Sequence, residues 1–99
     1  MIEPSLRDVL RVLAEHKPVL ARRYRLSALG VFGSVVRGEA GAESDIDIVF
    51  ESNEPNLLRT ARLRDELECL LGRPVDVVRL RASMNASLRE RILYEARYV

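Results

Sequence analysis

Two rhythms of apolar residues run along the chain, one near 3.6 and one of 2, and together they predict alternating helices and strands. Leu6, Val9, Leu10 and Leu13 stand at i, i+3, i+4 and i+7, the buried stripe of a helix whose first turn suits Pro4 and Ser5. Pro18 is expected to break or kink that helix near His16, because it brings no N–H and its ring crowds the preceding turn. Val19, Leu20 and Tyr24 then support a second short helical stretch ending in Arg22, Arg23 and Arg25, where cations suit the helix dipole. Ser27 to Phe32 reads as a short buried strand, with Gly30 inside it and Gly33 after it, and a short helix is expected to open at Ser34. Gly38 to Ser44 holds two glycines and no apolar period, as an exposed loop would.

From Asp45 to Glu51 the period changes to 2. Ile46 and Ile48 alternate with Asp45 and Asp47, so both carboxylates share one face of a strand and both isoleucines the other. Ser52 to Pro55 makes a turn, and Leu57, Ala61, Leu63, Leu67, Leu70 and Leu71 mark a long helix closed by Gly72 and Pro74. Val75 to Leu80 predicts a third strand, and Leu88, Ile92, Leu93 and Ala96 a final helix with Tyr98 and Val99 as a tail. The alternation implies an α+β fold with α/β-like succession, a small mixed β-sheet flanked by helices; strand order and a fourth strand are not fixed by the pattern.

Composition narrows this further. Ninety-nine residues, 47% of them apolar, support one compact domain over residues 1–99 and not two, and a core this small makes an oligomer or a partner useful. Sixteen basic against fifteen acidic residues leave a net charge of +1, too little for the broad positive field of a non-specific nucleic-acid binder. The one cysteine, Cys69, excludes an intramolecular disulfide and a cysteine-built zinc site, which fits a reducing cytoplasm. No apolar run is long enough to cross a bilayer, and Glu3 and Asp8 stand where a signal peptide would be basic and then apolar. Lys17 is the only lysine, a bias that carries no functional reading.

Three features bear chemistry: Gly33-Ser34 after the first strand, the Asp45/Asp47 pair, and Asp76 in the third strand. Each has an ordinary explanation alone, as a turn with an N-cap, a solvated strand face, and a partner for an arginine. Their combination is costly, because strands disfavour Asp and like charges on one face repel. A divalent cation would compensate: Mg²⁺ accepts a few carboxylate oxygens and keeps positions for water and substrate phosphates, and an acid from an adjacent strand could complete the cluster. The turn at Gly33 admits a phosphate close to the backbone, beside N–H groups at the start of the next helix.

Gly33-Ser34, ten intervening residues, then Asp45-x-Asp47 resembles the GSX10DXD signature of the DNA polymerase β-like nucleotidyltransferase superfamily. The context GSVVRGEAGAESDIDIVFE is similar to that of its minimal nucleotidyltransferase branch, and Asp76 extends the likeness over nearly the whole chain. The resemblance implies a nucleotidyltransferase fold and transfer of an NMP unit, above all AMP from ATP, to an acceptor hydroxyl with release of pyrophosphate. It implies that Asp45 and Asp47 hold two Mg²⁺ ions, that Asp76 helps hold one of them and assists deprotonation of the acceptor, and that Gly33 and Ser34 contact the phosphates. Members of that branch are similar to antitoxins paired with HEPN-domain toxins, some of which adenylylate a tyrosine of the toxin. The implied partner is therefore a HEPN-domain toxin protein.

Arg37 could add positive charge at the triphosphate or pair with Glu39 or Glu43, with equal weight. A surface or capping role suits His16; Cys69 reads as a small residue at the core edge; Arg22, Arg23 and Arg25 read as a solvated helix end. Tyr94 and Tyr98 fit an interface or packing on the sheet. Two competing functions remain: a binding antitoxin that neutralises its partner by covering it, and adenylylation of a small molecule such as an aminoglycoside, which the missing acceptor domain opposes.

Overall fold

The computed structural model describes residues 5–99; Glu3 and Pro4, which entered the sequence reading, lie outside them. Helix α1 spans Leu6–Tyr24 and is opened by Ser5, whose side chain accepts the Asp8 N–H, as an N-cap should. It runs through Pro18 without ending there, so of the expected break or kink the break does not occur, and the second short helical stretch is the end of the same helix. The reason is tertiary. An internal proline costs about 3 kcal/mol, but burying Leu20 and Tyr24 on the stripe that Val9 and Leu13 begin returns about 1.5–3 kcal/mol for each side chain. Val19 falls off that stripe and is exposed. Arg25 closes the helix in the left-handed conformation, φ 59°, with its N–H on the Ala21 carbonyl.

Strand β1 is Ala28–Phe32, the short helix α2 is Ser34–Arg37, and strand β2 is Ile46–Glu51. Helix α3, Leu57–Leu71, starts at the Asn56 cap and stops at Gly72, φ 67°. Strand β3 is Val75–Arg79, helix α4 is Ala86–Glu95, and a two-residue strand β4, Arg97–Tyr98, follows at once. The sheet is mixed, in the order β3-β2-β1-β4: β1 is antiparallel to β2 and to β4, while β2 and β3 are parallel and joined through α3. The expected tail is thus an edge strand, with Gly30 opposite Tyr98 and the Val99 N–H on the Leu29 carbonyl. The Lys17 ammonium donates to the Val99 carbonyl at 2.6 Å and ties α1 to this edge.

Period-2 alternation sends β2 to both faces. Ile46, Ile48 and Phe50 meet α1 and α3, in a core that includes Leu13, Leu20, Leu29, Val31, Leu63 and Leu67. Phe32 and Val49 meet Ile92 of α4 on the opposite face, beside Val78, Leu80 and Leu88. Asp45 and Asp47 therefore lie on the α4 side, as the sequence pattern requires. Cys69 is exposed and not at the core edge, because Leu63 and Leu67 take the buried stripe of α3. Arg23 and Tyr24 both donate to Glu66 Oε1 at 2.6 Å, fastening α1 to α3, and Arg25 pairs with Glu54.

Gly30 leaves room for β4: a β-carbon there would stand 2.6 Å from the Arg97 carbonyl oxygen. Gly30→Ala should therefore destabilise the fold by about 1–3 kcal/mol in urea unfolding, with lost amide protection at Val99, whereas Gly41→Ala, which meets nothing within 4 Å, should stay within about 0.5 kcal/mol of native.

Candidate active site

The site is assembled where β1 ends and β2 and β3 begin. Phe32 is opposite Asp47 across the antiparallel pair, and Asp47 is opposite Asp76 across the parallel pair. Side chains opposite one another share a face, so the two carboxylates stand side by side on the α4 side of the sheet. Asp45 precedes β2 on the same face and is exposed, as is Asp76, while Asp47 is half-buried. All three predicted acids are thus brought to one end of one face.

Gly33 lies against Asp47 and has φ 79°, ψ −151°, a conformation that L side chains rarely adopt. A β-carbon on Gly33 would stand 2.1 Å from Asp47 Oδ2, so the Asp47 carboxylate occupies the space in which any other residue would carry its side chain. Ser34 opens α2 directly after this turn and is half-buried. The Gly-Ser pair and the Asp pair are therefore one site, held together by β1–β2 register.

Burial pushes the Asp47 carboxyl above its ordinary pKa, and the neighbouring charge of Asp76 pushes it further. Arg91 opposes them, Asp45 adds to them, and Arg37 opposes again. An excess of carboxylate on a partly desolvated face suits a cation, and an all-oxygen donor set suits Mg²⁺. Among the described residues no three His, Cys, Asp or Glu side chains close around a point that could hold a metal ion.

Arg37 is engaged by protein carboxylates. Its Nε donates to Glu39 at 2.7 Å and its Nη1 to both oxygens of Glu95 at 3.1 Å; Glu43 does not take part. These bonds raise its pKa, Glu39 first and then Glu95. The pairing alternative of the sequence reading holds in this structure, with a second partner it did not foresee. Glu95 and Arg91, from the end of α4, are the site residues that sequence reasoning missed. Their i, i+4 spacing was visible as a helical ion pair, but nothing local places it beside Gly33, 62 positions away.

Behind the site, Arg73 reaches from the α3–β3 connection to the loop before Asp45. Its Nη2 donates to the Gly41 and Ser44 carbonyls at 3.1 and 2.8 Å, and to that of Ala42. A groove of about 490 Å³ lies at the opposite end of β2 and β3, lined by Phe50, Asn56, Thr60, Val78 and Arg79, away from the acids.

A four-stranded mixed sheet with paired carboxylates at one strand end beside a Gly-Ser turn defines a nucleotidyltransferase. The family model of the nucleotidyltransferase domain matches residues 13–99, and the chain belongs to that family, in its minimal branch. It is 40% identical to the protein adenylyltransferase MntA of Thermococcus cleftensis over 96% of both chains. A solved structure named as a minimal nucleotidyltransferase superposes with a TM-score of 0.77 and 41% identity over 95% of each chain. A toxin–antitoxin structure with AMP-PNP gives a TM-score of 0.71 and 25% identity over 85% of this chain and 69% of that one. The fold recurs, at 22% identity and a TM-score of 0.66, in the complex of a tri-AMPylated Shewanella oneidensis HEPN toxin with its MNT antitoxin, over 90% of this chain and 70% of that one. The protein is a nucleotidyltransferase enzyme, and an NTP is its substrate. No helix among the described residues is long and apolar enough to cross a membrane.

Two measurements test this geometry. Gly33→Ala should lose at least about 2 kcal/mol of stability, since it meets both an unfavourable φ and the Asp47 carboxylate. The raised pKa of Asp47 means that its ionised form destabilises the fold, a deficit that disappears as protonation sets in. With divalent ions chelated, Asp47→Asn should therefore have a higher urea midpoint than native protein at pH 7, and the gap should close towards about pH 3.

Proposed function

We propose that this chain transfers AMP from ATP to a tyrosine hydroxyl of a HEPN-domain toxin partner, with Mg²⁺, and thereby serves as its antitoxin. The observation that carries the reading is Asp47 opposite Asp76 in register, with Asp45 on the same face and Gly33 packed against the Asp47 carboxylate. Support for the acceptor class comes from the 40% identity to a protein adenylyltransferase, and for the partner from the complex whose HEPN toxin carries AMP. The chain works as one domain over residues 1–99, in the cytoplasm.

In this reading Asp45 and Asp47 would hold two Mg²⁺ ions and Asp76 would help hold one. The chemistry such ions would supply there is neutralisation of the charge that develops on the phosphate oxygens. The phosphate contacts are given to Ser34 at the start of α2, while Gly33, whose N–H donates to Glu95 and whose Cα faces the Asp47 carboxylate, holds that turn against the acids. The acceptor oxygen bonds to the α-phosphorus, the bond from that phosphorus to the bridging oxygen of the β-phosphate breaks, and pyrophosphate leaves. The acceptor's proton passes to a carboxylate, the role given to Asp76, which is exposed at the edge of the site and open to an incoming hydroxyl. Positioning and charge do most of the work. Arg37, held by Glu39 and Glu95, acts through the turn that opens α2.

Incubation with α-labelled ATP, Mg²⁺ and a co-expressed HEPN-domain protein should label that protein at tyrosine. Asp45→Asn/Asp47→Asn should reduce labelling by at least about 10²- to 10³-fold, and EDTA should abolish it. A double variant that still neutralises the partner as well as native protein would sink the enzymatic account in favour of neutralisation by binding.

A further inference from the structure

Helix α4 ends on a carboxylate that the GSX10DXD pattern does not include. The Glu95 side chain is only 11% exposed. Its Oε1 accepts the Gly33 N–H at 2.8 Å, both its oxygens accept from Arg37 at 3.1 Å, and Arg91 Nε stands 3.8 Å from Oε1. Exposed ion pairs contribute little, but a carboxylate nearly removed from water and shared by an amide and two guanidinium groups is a strong, geometrically exact joint.

What it joins is specific. Gly33 is the residue whose Cα faces the Asp47 carboxylate, and Arg37 and Arg91 are the two cations whose charge offsets the acids at Asp47. One side chain therefore fixes the Gly-Ser turn against the Asp pair and also holds the local balance of charge. We propose that Glu95 is a positioning residue of the transfer site, setting the Gly33–Ser34 turn and the Arg37 and Arg91 side chains so that a nucleotide carrying its cation is seated correctly beside the carboxylates of β2. The inference rests on reading Asp45, Asp47 and Asp76 as the transfer site.

The test compares native protein with Glu95→Ala, Glu95→Gln, Arg37→Ala and the Glu95→Ala/Arg37→Ala pair. It measures kcat and KM for ATP in label transfer, ATP affinity by calorimetry with Mg²⁺, and urea midpoints to confirm that each variant is folded. Glu95→Ala should lower kcat/KM for ATP by about 10- to 100-fold, the scale of a misplaced reacting group, and weaken ATP binding. Glu95→Gln, whose amide oxygen still accepts the Gly33 N–H, should recover part of the loss. The double variant should fall no more than about threefold below Glu95→Ala, since the two residues act as one joint. Additive losses, a loss of stability with kcat/KM intact in the folded variants, or tighter ATP binding once Glu95 is removed would each overturn the inference. If native protein transfers no label, the transferase reading fails, and the same five proteins still decide on Glu95 through ATP affinity: coupled weakening supports it, and unchanged affinity or no ATP binding by native protein overturns it.

Discussion

The Asp47 carboxylate stands where any residue other than glycine at position 33 would carry its side chain. Much of the site follows from that contact. It requires β1 and β2 to pair with Phe32 opposite Asp47, so that the turn at the end of one strand meets the start of the other. It also requires backbone at Gly33 in a conformation open to glycine alone, which sets the direction in which α2 leaves. The parallel pairing of β2 with β3 then adds Asp76 beside Asp47 without further adjustment.

Placing three acids on one face is unfavourable, and the rest of the molecule carries the cost. The two faces of the sheet bury separate apolar clusters, so β2 is gripped from both sides while its first turn stays open at the α4 side. Fully buried Ile46 and Ile48 bracket Asp47 in sequence and contribute about 1.5–3 kcal/mol each, enough to hold a half-buried carboxylate that would be more stable protonated. Arg37 and Arg91 temper the repulsion through their charge while their own ion pairs are made to Glu39 and Glu95.

Much of this was legible before the coordinates. Alternation of Ile46 and Ile48 with Asp45 and Asp47 gave the face of the acids, because period 2 is a local property of a strand, and Gly72 gave the end of α3 for an equally local reason; the Asn56 cap that opens α3 was not foreseen. The failures were non-local. Pro18 misled because its cost is local, whereas the burial of Leu20 and Tyr24 that outweighs it depends on α3 and the sheet. Arg97 and Tyr98 form a strand only because Gly30 clears the edge of β1 for them. Glu95 could not be placed, since its partner Gly33 is distant in sequence and a Glu at a helix end is ordinarily solvated.

The grip of Arg73 on the carbonyls of Gly41, Ala42 and Ser44 gives the spacing between the Gly-Ser turn and the Asp pair a physical meaning. Ten residues is the length of chain that completes α2, reaches a guanidinium anchored beside β3, and returns to β2 in register. An insertion there would have to bulge outward or release the anchor, and a deletion would pull Asp45 away from the face it shares with Asp47. The spacer is thus a ruler: its length is calibrated by one side chain 29 residues beyond Ser44, from an element that the motif itself never mentions.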